Sequence, residues 1–208
     1  QTMLRNPLAS PDIIGISAGS SLAAVFAILQ LRLSGPAVSV LAIAAGLLVS
    51  LGMLALAWGR KFSATRLILV GIGVQALAFA GVSWLLSGAN QYDVPAAMRW
   101  LSGSLNGVRM GQVSWLALGV GLGGTGLLAL LRTLPVLELG DQAASSLGLD
   151  TGRTRMALTL AAVLLVAVAS ATSGPVAFVS FLAGPLVSRF SGPGPRRILA
   201  AGLAGAIL

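Results

Sequence analysis

Long runs of apolar residues limit what this chain can fold into more than any other feature of its sequence. Hydrophobic residues make up 56% of the 208 residues and charged residues only 9%, and the mean hydropathy is +0.95. Several runs approach the roughly 20 apolar residues that a helix needs to cross a hydrocarbon core of about 30 Å. Because a backbone in lipid must satisfy its own hydrogen bonds, such runs form helices. The sequence therefore predicts an all-α polytopic membrane protein, a helical bundle with a single transmembrane domain over residues 1–208.

The apolar runs divide the chain into six complete spans and one partial span. They cover residues 13–31, 37–59, 67–87, 112–131, 156–173, 176–189 and 198 onward. The sixth is short for a straight crossing. Because the chain opens on Gln1 and stops inside the last apolar run, at Leu208, we expect the sequence to be a fragment of a longer protein.

Basic residues are distributed unevenly between alternate connections. Ten of the 13 lie in one set, namely Arg5, Arg60, Lys61, Arg66, Arg132, Arg153, Arg155, Arg189, Arg196 and Arg197. The opposite set holds Arg32, Arg99 and Arg109. The positive-inside rule makes the first set cytoplasmic, so that segments 32–36 and 88–111 face outward. The net charge of +8 thus reports orientation in a membrane and not nucleic-acid binding.

The cytoplasmic segment 134–150, LPVLELGDQAASSLGLD, holds three of the five acidic residues of the chain. Gly140 breaks the preceding structure, Asp141 is a candidate N-cap, residues 142–147 form about a turn and a half of helix, and Gly148 can end it. A connection between two spans needs only a few residues. A structured loop of this size therefore predicts a docking surface.

Small residues recur along the third span at spacings of three and four. They are Gly73, Ala76, Ala80, Ser83 and Ser87. Residues at these spacings share one face of a helix. Such a face either packs tightly against another helix or borders a space through which a substrate passes.

Glycines at two other places also carry structural expectations. Gly15 and Gly19 form a GxxxG pair, which permits close helix contact, and we expect that contact within one subunit. Gly184-Pro185 interrupts the sixth span, which predicts either a kink required for packing or a broken helix beside a pathway.

The outward segment 88–111 is too long for a simple turn. Pro95 can start a short helix that continues through Trp100, and Gly103 can follow its end. We expect an interfacial or re-entrant helix here.

Several function classes conflict with the residues present. The 208 residues contain no Cys and no His, so thiol chemistry and the commonest metal ligand are missing, and no Gly-x4-Gly-Lys-Ser/Thr phosphate loop occurs. No Asp, Glu, Lys or His lies inside a predicted span, which argues against a proton-coupled carrier. A secondary transporter remains an alternative if backbone near Gly184-Pro185 forms an ion site. An intramembrane enzyme could only be of a Ser or Ser/Lys type, and the sole lysine, Lys61, lies at a cytoplasmic boundary, which argues against it.

Five motifs, in order, resemble the permease subunits of type II ABC importers of the FecCD type. They are RNPLASPDIIGISAGS, LILVGIGVQAL, MRWLSGSLNGV, LELGDQAASSLGLD and SGPVAFVSFLAGPLVSRF. That family imports ferric siderophores, cobalamin and haem in bacteria. The resemblance covers nearly the whole chain and implies a piece of a ten-span permease in the bacterial cytoplasmic (inner) membrane, with a ferric siderophore as the first substrate candidate and cobalamin or haem as alternatives.

The resemblance also implies partners and site residues. Cytoplasmic ATPase subunits bind the ATP, so the permease itself holds no cofactor and no metal and is not an enzyme. A second permease copy or paralogue completes a dimer, and an extracytoplasmic binding protein delivers the substrate. Residues 132–155 correspond to the cytoplasmic coupling loop, and its candidate ATPase contacts are Glu138, Gly140, Asp141, Ala144, Leu147 and Gly148. The translocation pathway corresponds to Gly73, Ala76, Ala80 and Ser83, and the outer gate region to Arg99, Trp100, Gly103 and Ser104.

Two departures from the family pattern concern the missing histidines. Many members have Pro-His where this chain has Gly184-Pro185, and Asp-His-Arg where it has Gly194-Pro195-Arg196. A His-free permease resembles one of the two paired subunits in some siderophore systems, so a heterodimer stands beside a homodimer as an alternative.

Overall fold

Helices account for all regular secondary structure in the part of the chain that the computed structural model describes, residues 15–57, 64–104, 110–175, 179–190 and 196–207. The predicted all-α class is therefore confirmed. The helices, in order, are α1 Ile16–Leu29, α2 Pro36–Ala57, α3 Ala64–Ser87, α4 Val94–Ser102, α5 Met110–Leu130, α6 Leu134–Glu138, α7 Asp141–Ser146, α8 Thr151–Ser173, α9 Val179–Phe190 and α10 Arg196–Ile207, with a 3₁₀ turn, Leu131–Thr133, after α5.

Four stretches of helix in the described part are long and apolar enough to cross a membrane. They are Pro36–Leu56, Thr65–Ser87, Leu116–Glu138 and Thr151–Ser170, and between 22% and 33% of each is buried inside the chain. Large apolar side chains such as Leu48, Leu77 and Trp84 are more than two-thirds exposed. Outward-facing apolar surface on this scale is stable in lipid and not in water.

These four stretches match the second to fifth predicted spans. The first predicted span is represented by α1, an apolar helix of 14 residues, and residues 13 and 14 lie outside the described part. The sixth and seventh are represented by α9 and α10, with 12 residues each. At 1.5 Å per residue a 12-residue helix extends about 18 Å, which is too short for a straight crossing.

Pro185 lies inside α9, which continues through it from Val179 to Phe190. Of the two predicted alternatives, the broken helix at Gly184-Pro185 is therefore wrong. A proline removes one backbone donor and crowds the preceding turn, but the flanking turns still form.

Helix α1 packs at the centre of the described bundle, against α2, α3, α4 and α8. A Cβ added to Gly19 would lie 2.7 Å from Val49 Cγ2 of α2, and one added to Gly46 of α2 would meet Ser20 and Ile16 of α1. The Ser20 hydroxyl donates to the Ala42 carbonyl at 2.9 Å. The expected use of a small-residue pair for close contact within one chain is confirmed.

We expect Gly46→Ile to destabilise the bundle by about 1–3 kcal/mol, because overpacking forces the two helices apart. Gly52→Ile is the matched control on the same helix, since a Cβ there meets no atom within 4 Å. The midpoint of thermal unfolding in detergent, detected by size-exclusion chromatography, is measured for both variants. Equal midpoints for the two variants would contradict the observed α1–α2 contact.

The basic residues in the described connections between spans lie at two opposite ends of the bundle. At one end, Trp100 of α4 packs against a cluster that joins the end of α1 to the start of α2, formed by Ala24, Ala27, Val38 and Ala42. Arg32 and Arg99 lie at this end, whereas Arg132, Arg153 and Arg155 lie at the other end, around the start of α8. The outward and cytoplasmic sets predicted by the positive-inside rule thus lie at opposite ends of the bundle for these five residues. Arg5, Arg60, Lys61 and Arg109 lie outside the described residues.

Candidate functional site

The predicted docking loop is a folded unit seated on the start of α8. Leu131, Leu134 and Leu137 point inward and form a buried cluster with Leu158 of α8, and Leu149 packs against it. Pro135 occupies the first turn of α6, where a missing N–H costs nothing. Because the apolar underside of the loop is shared with a membrane span, the loop and α8 are expected to move together.

Asp141 does not cap α7 as the sequence suggested. Gly140 holds the N-cap position, with φ 106° and ψ 159°, and Asp141 is the first helical residue. The Asp141 carboxylate instead accepts two hydrogen bonds from Arg155 of α8, at 2.7 Å from Nη2 and 3.2 Å from Nη1. The backbone conformation at Gly140 suits glycine, and a long-range cation competes successfully for the carboxylate.

Gly148 ends α7 as predicted. Its φ is 83°, its N–H donates to the Ser145 carbonyl at 2.9 Å, and the next N–H, of Leu149, donates to the Ala144 carbonyl at 3.0 Å. These two bonds form a Schellman motif, which requires a left-handed residue at this position. Ala144 is fully buried beneath the helix, so it supports the loop from within and does not face a partner.

Other residues of the loop are exposed. Leu139 and Leu147 are 65% and 66% exposed, and Glu138 and Gly148 are also exposed. Large apolar side chains held in solvent by a rigid loop are typical of a protein interaction surface. Of the six predicted contact residues, four lie at the surface, namely Glu138, Asp141, Leu147 and Gly148, whereas Gly140 is half-buried and Ala144 is buried.

Asp150 starts α8. Its side chain accepts a hydrogen bond from the Arg153 N–H at 3.0 Å and pairs with the Arg153 guanidinium at 3.2 Å. The Arg153 side chain is 86% exposed, so the ion pair is worth little and the cap carries the stabilisation.

We expect Asp150→Ala to destabilise the first turn of α8 by about 1 kcal/mol. The rate of amide hydrogen exchange at Arg153 should then rise about five-fold. Asp93→Ala is the matched control, because Asp93 occupies the N-cap position of α4 without a side-chain cap bond. Hydrogen exchange with mass spectrometry measures both helices in one sample. Unchanged exchange at the start of α8 would show that the Asp150 side chain does not stabilise this turn.

The predicted pathway face lies on the exposed side of α3. Gly73, Ala76, Ala80 and Ser83 are all exposed, whereas Leu67, Ala78, Val82 and Leu85 on the opposite side are buried. Nothing lies within 4 Å of a Cβ added to Gly73. Within the described residues, this face is therefore not used for tight helix packing.

At the outer end, the predicted gate region contacts residues 173–175 at the end of α8. The Ser104 N–H donates to the Ser173 carbonyl at 2.7 Å. A Cβ added to Gly103 would lie 2.8 Å from the Pro175 carbonyl oxygen, and one added to Gly174 would meet the Trp100 carbonyl oxygen. Arg99 is exposed and Trp100 is half-buried. The four residues are thus close in space, and two glycines permit the approach of two backbones.

Sequence reasoning missed two residues that organise these regions, Arg155 and Gly174. Arg155 entered only as a topological charge, although its side chain is 14% exposed. The sequence places Arg155 directly before the apolar run that starts at residue 156, so the pattern gave no signal that this charge is enclosed and needs a partner. The sequence offers no signal for the approach of Gly174 to Gly103, which depends on tertiary structure.

Comparisons with known proteins agree with this architecture. The model of the FecCD transport family matches residues 1–208. The chain is 35% identical over 208 residues to the ferric enterobactin transport system permease protein FepG of Escherichia coli, covering 100% of this chain and 63% of FepG. It is 34% identical to the Fe(3+)-citrate import system permease protein YfmE of Bacillus subtilis, covering 100% and 63%. It is 33% identical to the cobalamin import system permease protein BtuC of Halobacterium salinarum, covering 96% and 54%.

A solved structure has the same fold. It is described as an inward-facing conformation of a metal-chelate type ABC transporter, and it superposes with a TM-score of 0.86 at 28% identity, covering 99% of this chain and 67% of that one. The chain thus spans about two-thirds or less of the length of these relatives. The four apolar spans and the family match confirm a multi-pass protein of the bacterial cytoplasmic membrane. By the match over all 208 residues, the chain belongs to the FecCD transport family.

Proposed function

We propose that the chain is part of the permease subunit of a type II ABC importer, and that an ATPase docks on its loop 134–150. The observation that carries this proposal is the construction of α7. A six-residue helix is closed by a Schellman motif, tied to α8 by Arg155, and accompanied by two exposed leucines. A mere connection between spans needs none of these features. Residues 132–155 then form the coupling loop.

The pathway is proposed to run along the exposed face of α3. Gly73, Ala76, Ala80 and Ser83 leave room beside the helix that larger side chains would fill, and the packed side of α3 faces α1 and α2. In the dimer, the second permease copy or paralogue would supply the opposite wall. Arg99, Trp100, Gly103 and Ser104 would close the outer end.

The remaining partners follow from the same assignment. ATP is bound by the cytoplasmic ATPase subunits and not by this chain, which performs no catalysis and needs no metal. An extracytoplasmic binding protein delivers the substrate, and the outward-facing apolar side chains contact the lipid bilayer. The basic residues serve orientation in the membrane, so nucleic acid is not a partner.

For the substrate we propose a ferric siderophore. FepG, at 35% identity, is a ferric enterobactin permease, and YfmE is an Fe(3+)-citrate permease. Cobalamin is the second candidate, because BtuC relatives are 32–33% identical, and haem is a third that rests on the family resemblance alone. A secondary transporter is a weaker alternative, since α9 continues through Pro185 and leaves no unwound segment there.

The test is affinity purification of the full-length permease from its native membrane, followed by reconstitution in proteoliposomes. We expect a stoichiometric ATPase to co-purify, and uptake of a radio-iron-labelled ferric siderophore to require ATP. Uptake of labelled cobalamin or haem in its place would change the substrate and keep the class. Transport by the permease alone, without ATP, would overturn the proposal.

A further inference from the structure

Helix α8 is fastened at both of its ends to regions that the proposed function assigns to coupling and gating. At its cytoplasmic end, Arg155 binds the Asp141 carboxylate through two hydrogen bonds. The Arg155 side chain is 14% exposed, and its Nε is buried without a partner among the described residues. A guanidinium so enclosed depends on its one carboxylate, so the pair holds α7 in a fixed orientation on α8.

At its outer end, α8 is fastened to the segment that ends α4. The Ser173 carbonyl accepts the Ser104 N–H at 2.7 Å. Gly103 and Gly174 have φ values of 65° and 73°, and a Cβ on Gly174 would lie 3.0 Å from the Gly103 Cα. Both backbones therefore approach as closely as two glycines allow, and this contact tolerates no side chain.

Between these two contacts α8 is continuous and well packed. No glycine or proline occurs from Arg153 to Ser173, and the helix extends about 35 Å. Val163 and Ala167 are fully buried with Ile16 of α1, and the glycine face of α5 lies against Leu165 and Val168. A helix without a kink site transmits a displacement along its axis as a rigid body.

We infer that α8 carries the movement of the docking helix α7 to the outer helix α4, with Arg155 and Gly174 as the positioning residues at its two ends. This inference rests on the proposed function, because the movement is driven by an ATPase. It adds a specific route: nucleotide-driven displacement of α7 moves α8 through the Asp141–Arg155 pair. Residues 173–175 at the outer end of α8 then move Gly103, Ser104 and the end of α4.

The test follows α4 directly and requires no knowledge of the substrate. Met98 lies on α4 and is 53% exposed, and the chain has no cysteine of its own. Met98→Cys in an otherwise cysteine-free full-length complex, reconstituted with its ATPase, gives the parent. The rate of labelling by a membrane-impermeant maleimide is compared without nucleotide and with ATP plus vanadate. We expect a change of about five-fold, the lower range of a typical coupling between sites.

Variants at the cytoplasmic end are Arg155→Gln and Asp141→Asn, alone and together. Each is expected to remove the nucleotide-dependent change in labelling, and the double variant should lose no more than either single one, since both remove the same contact. Arg153→Gln is the matched control, because Arg153 lies two residues away and pairs with Asp150 at the start of the same helix. It should retain the parent response.

At the outer end, Gly174→Ala is expected to remove the response while the ATPase remains bound, because the docking loop is at the opposite end of α8. Gly35→Ala is its control, since Gly35 also has a positive φ, 63°, but meets no atom within 4 Å of an added Cβ. Co-purification of the ATPase with each variant confirms assembly.

The inference predicts loss of the response at both ends and its retention in both controls. A full response in Gly174→Ala or in Arg155→Gln would overturn it, because transmission along one helix requires both contacts. No response in the parent, with the ATPase bound, would overturn it as well, since α4 would then not move. Failure of the parent to bind any ATPase would instead reject the proposed function, which separates the two conclusions.

Discussion

Leu147→Asp is expected to remove the ATPase from the purified permease. Leu147 follows the last turn of α7 and is 66% exposed, so it contributes little to the stability of its own chain. Burying it in a partner's groove would contribute about 2 kcal/mol, and an aspartate there would add an unpaired buried charge. Together these effects predict a loss of affinity of at least about 30-fold. Co-purification at graded ATPase concentrations measures the loss.

Leu147→Met is the control, because it keeps the apolar surface and nearly the same volume. It should bind the ATPase as the parent does. The thermal midpoint of Leu147→Asp in the absence of ATPase should equal that of the parent. Full ATPase binding by Leu147→Asp would remove this residue from the interface, whereas an equal loss in Leu147→Met would indicate a folding defect in place of a lost contact.

Ala80→Trp is expected to abolish substrate uptake while ATP hydrolysis continues. Ala80 lies midway along the exposed small-residue face of α3, and a tryptophan there would fill the space that we assign to the pathway. Among the residues that the structure describes, the side chain adds no clash, because the packed side of α3 is the opposite one. The ratio of labelled ferric siderophore imported to phosphate released, in proteoliposomes, measures the effect.

Leu48→Trp is the matched control, because Leu48 lies on α2 and not on the small-residue face of α3. Leu48 is 70% exposed and already large, so the substitution adds little volume and should leave uptake intact. Normal uptake by Ala80→Trp would place the pathway elsewhere. A parallel loss of uptake and hydrolysis would indicate damage to assembly and would be visible as loss of the ATPase on purification.

Hydropathy predicted the architecture well because the membrane imposes one dominant constraint. Residues 37–56, 67–87 and 156–170 were predicted to be within spans and lie in helices that meet the length and hydropathy of a crossing. The basic residues at the two ends separate as the positive-inside rule requires. Helix ends were less accurate: α8 begins at Thr151 and not at residue 156, because the cap at Asp150 extends the helix beyond the apolar run.

Contacts between distant segments were beyond sequence reasoning. Asp141 has the composition of an N-cap residue, and local rules assigned it that role. The structure assigns the N-cap position to Gly140, and Arg155, which lies 14 residues after Asp141, takes the Asp141 carboxylate. Gly103 and Gly174 are likewise 71 residues apart, and only the packed bundle brings their backbones together.

The small-residue patterns show the same limit in another form. Gly15-Gly19 and the face of Gly73, Ala76 and Ala80 are similar as sequence patterns. In the structure, Gly19 is enclosed by α2, whereas a Cβ added to Gly73 would meet no atom of another described element within 4 Å. The spacing specifies which residues share a helix face, but not whether another helix covers that face.

Photocrosslinking from Leu147 shows directly whether an ATPase docks on loop 134–150. A photoreactive phenylalanine analogue replaces Leu147 in the full-length permease, and the adduct formed in native membranes is identified by mass spectrometry. Tyr92, which is 81% exposed on the outward side, carries the analogue in the control. If the ATPase docks on this loop, position 147 forms an adduct with an ATP-hydrolysing subunit, and position 92 forms no adduct with that subunit. An ATPase adduct from position 92 alone, or from neither position, would contradict the claim.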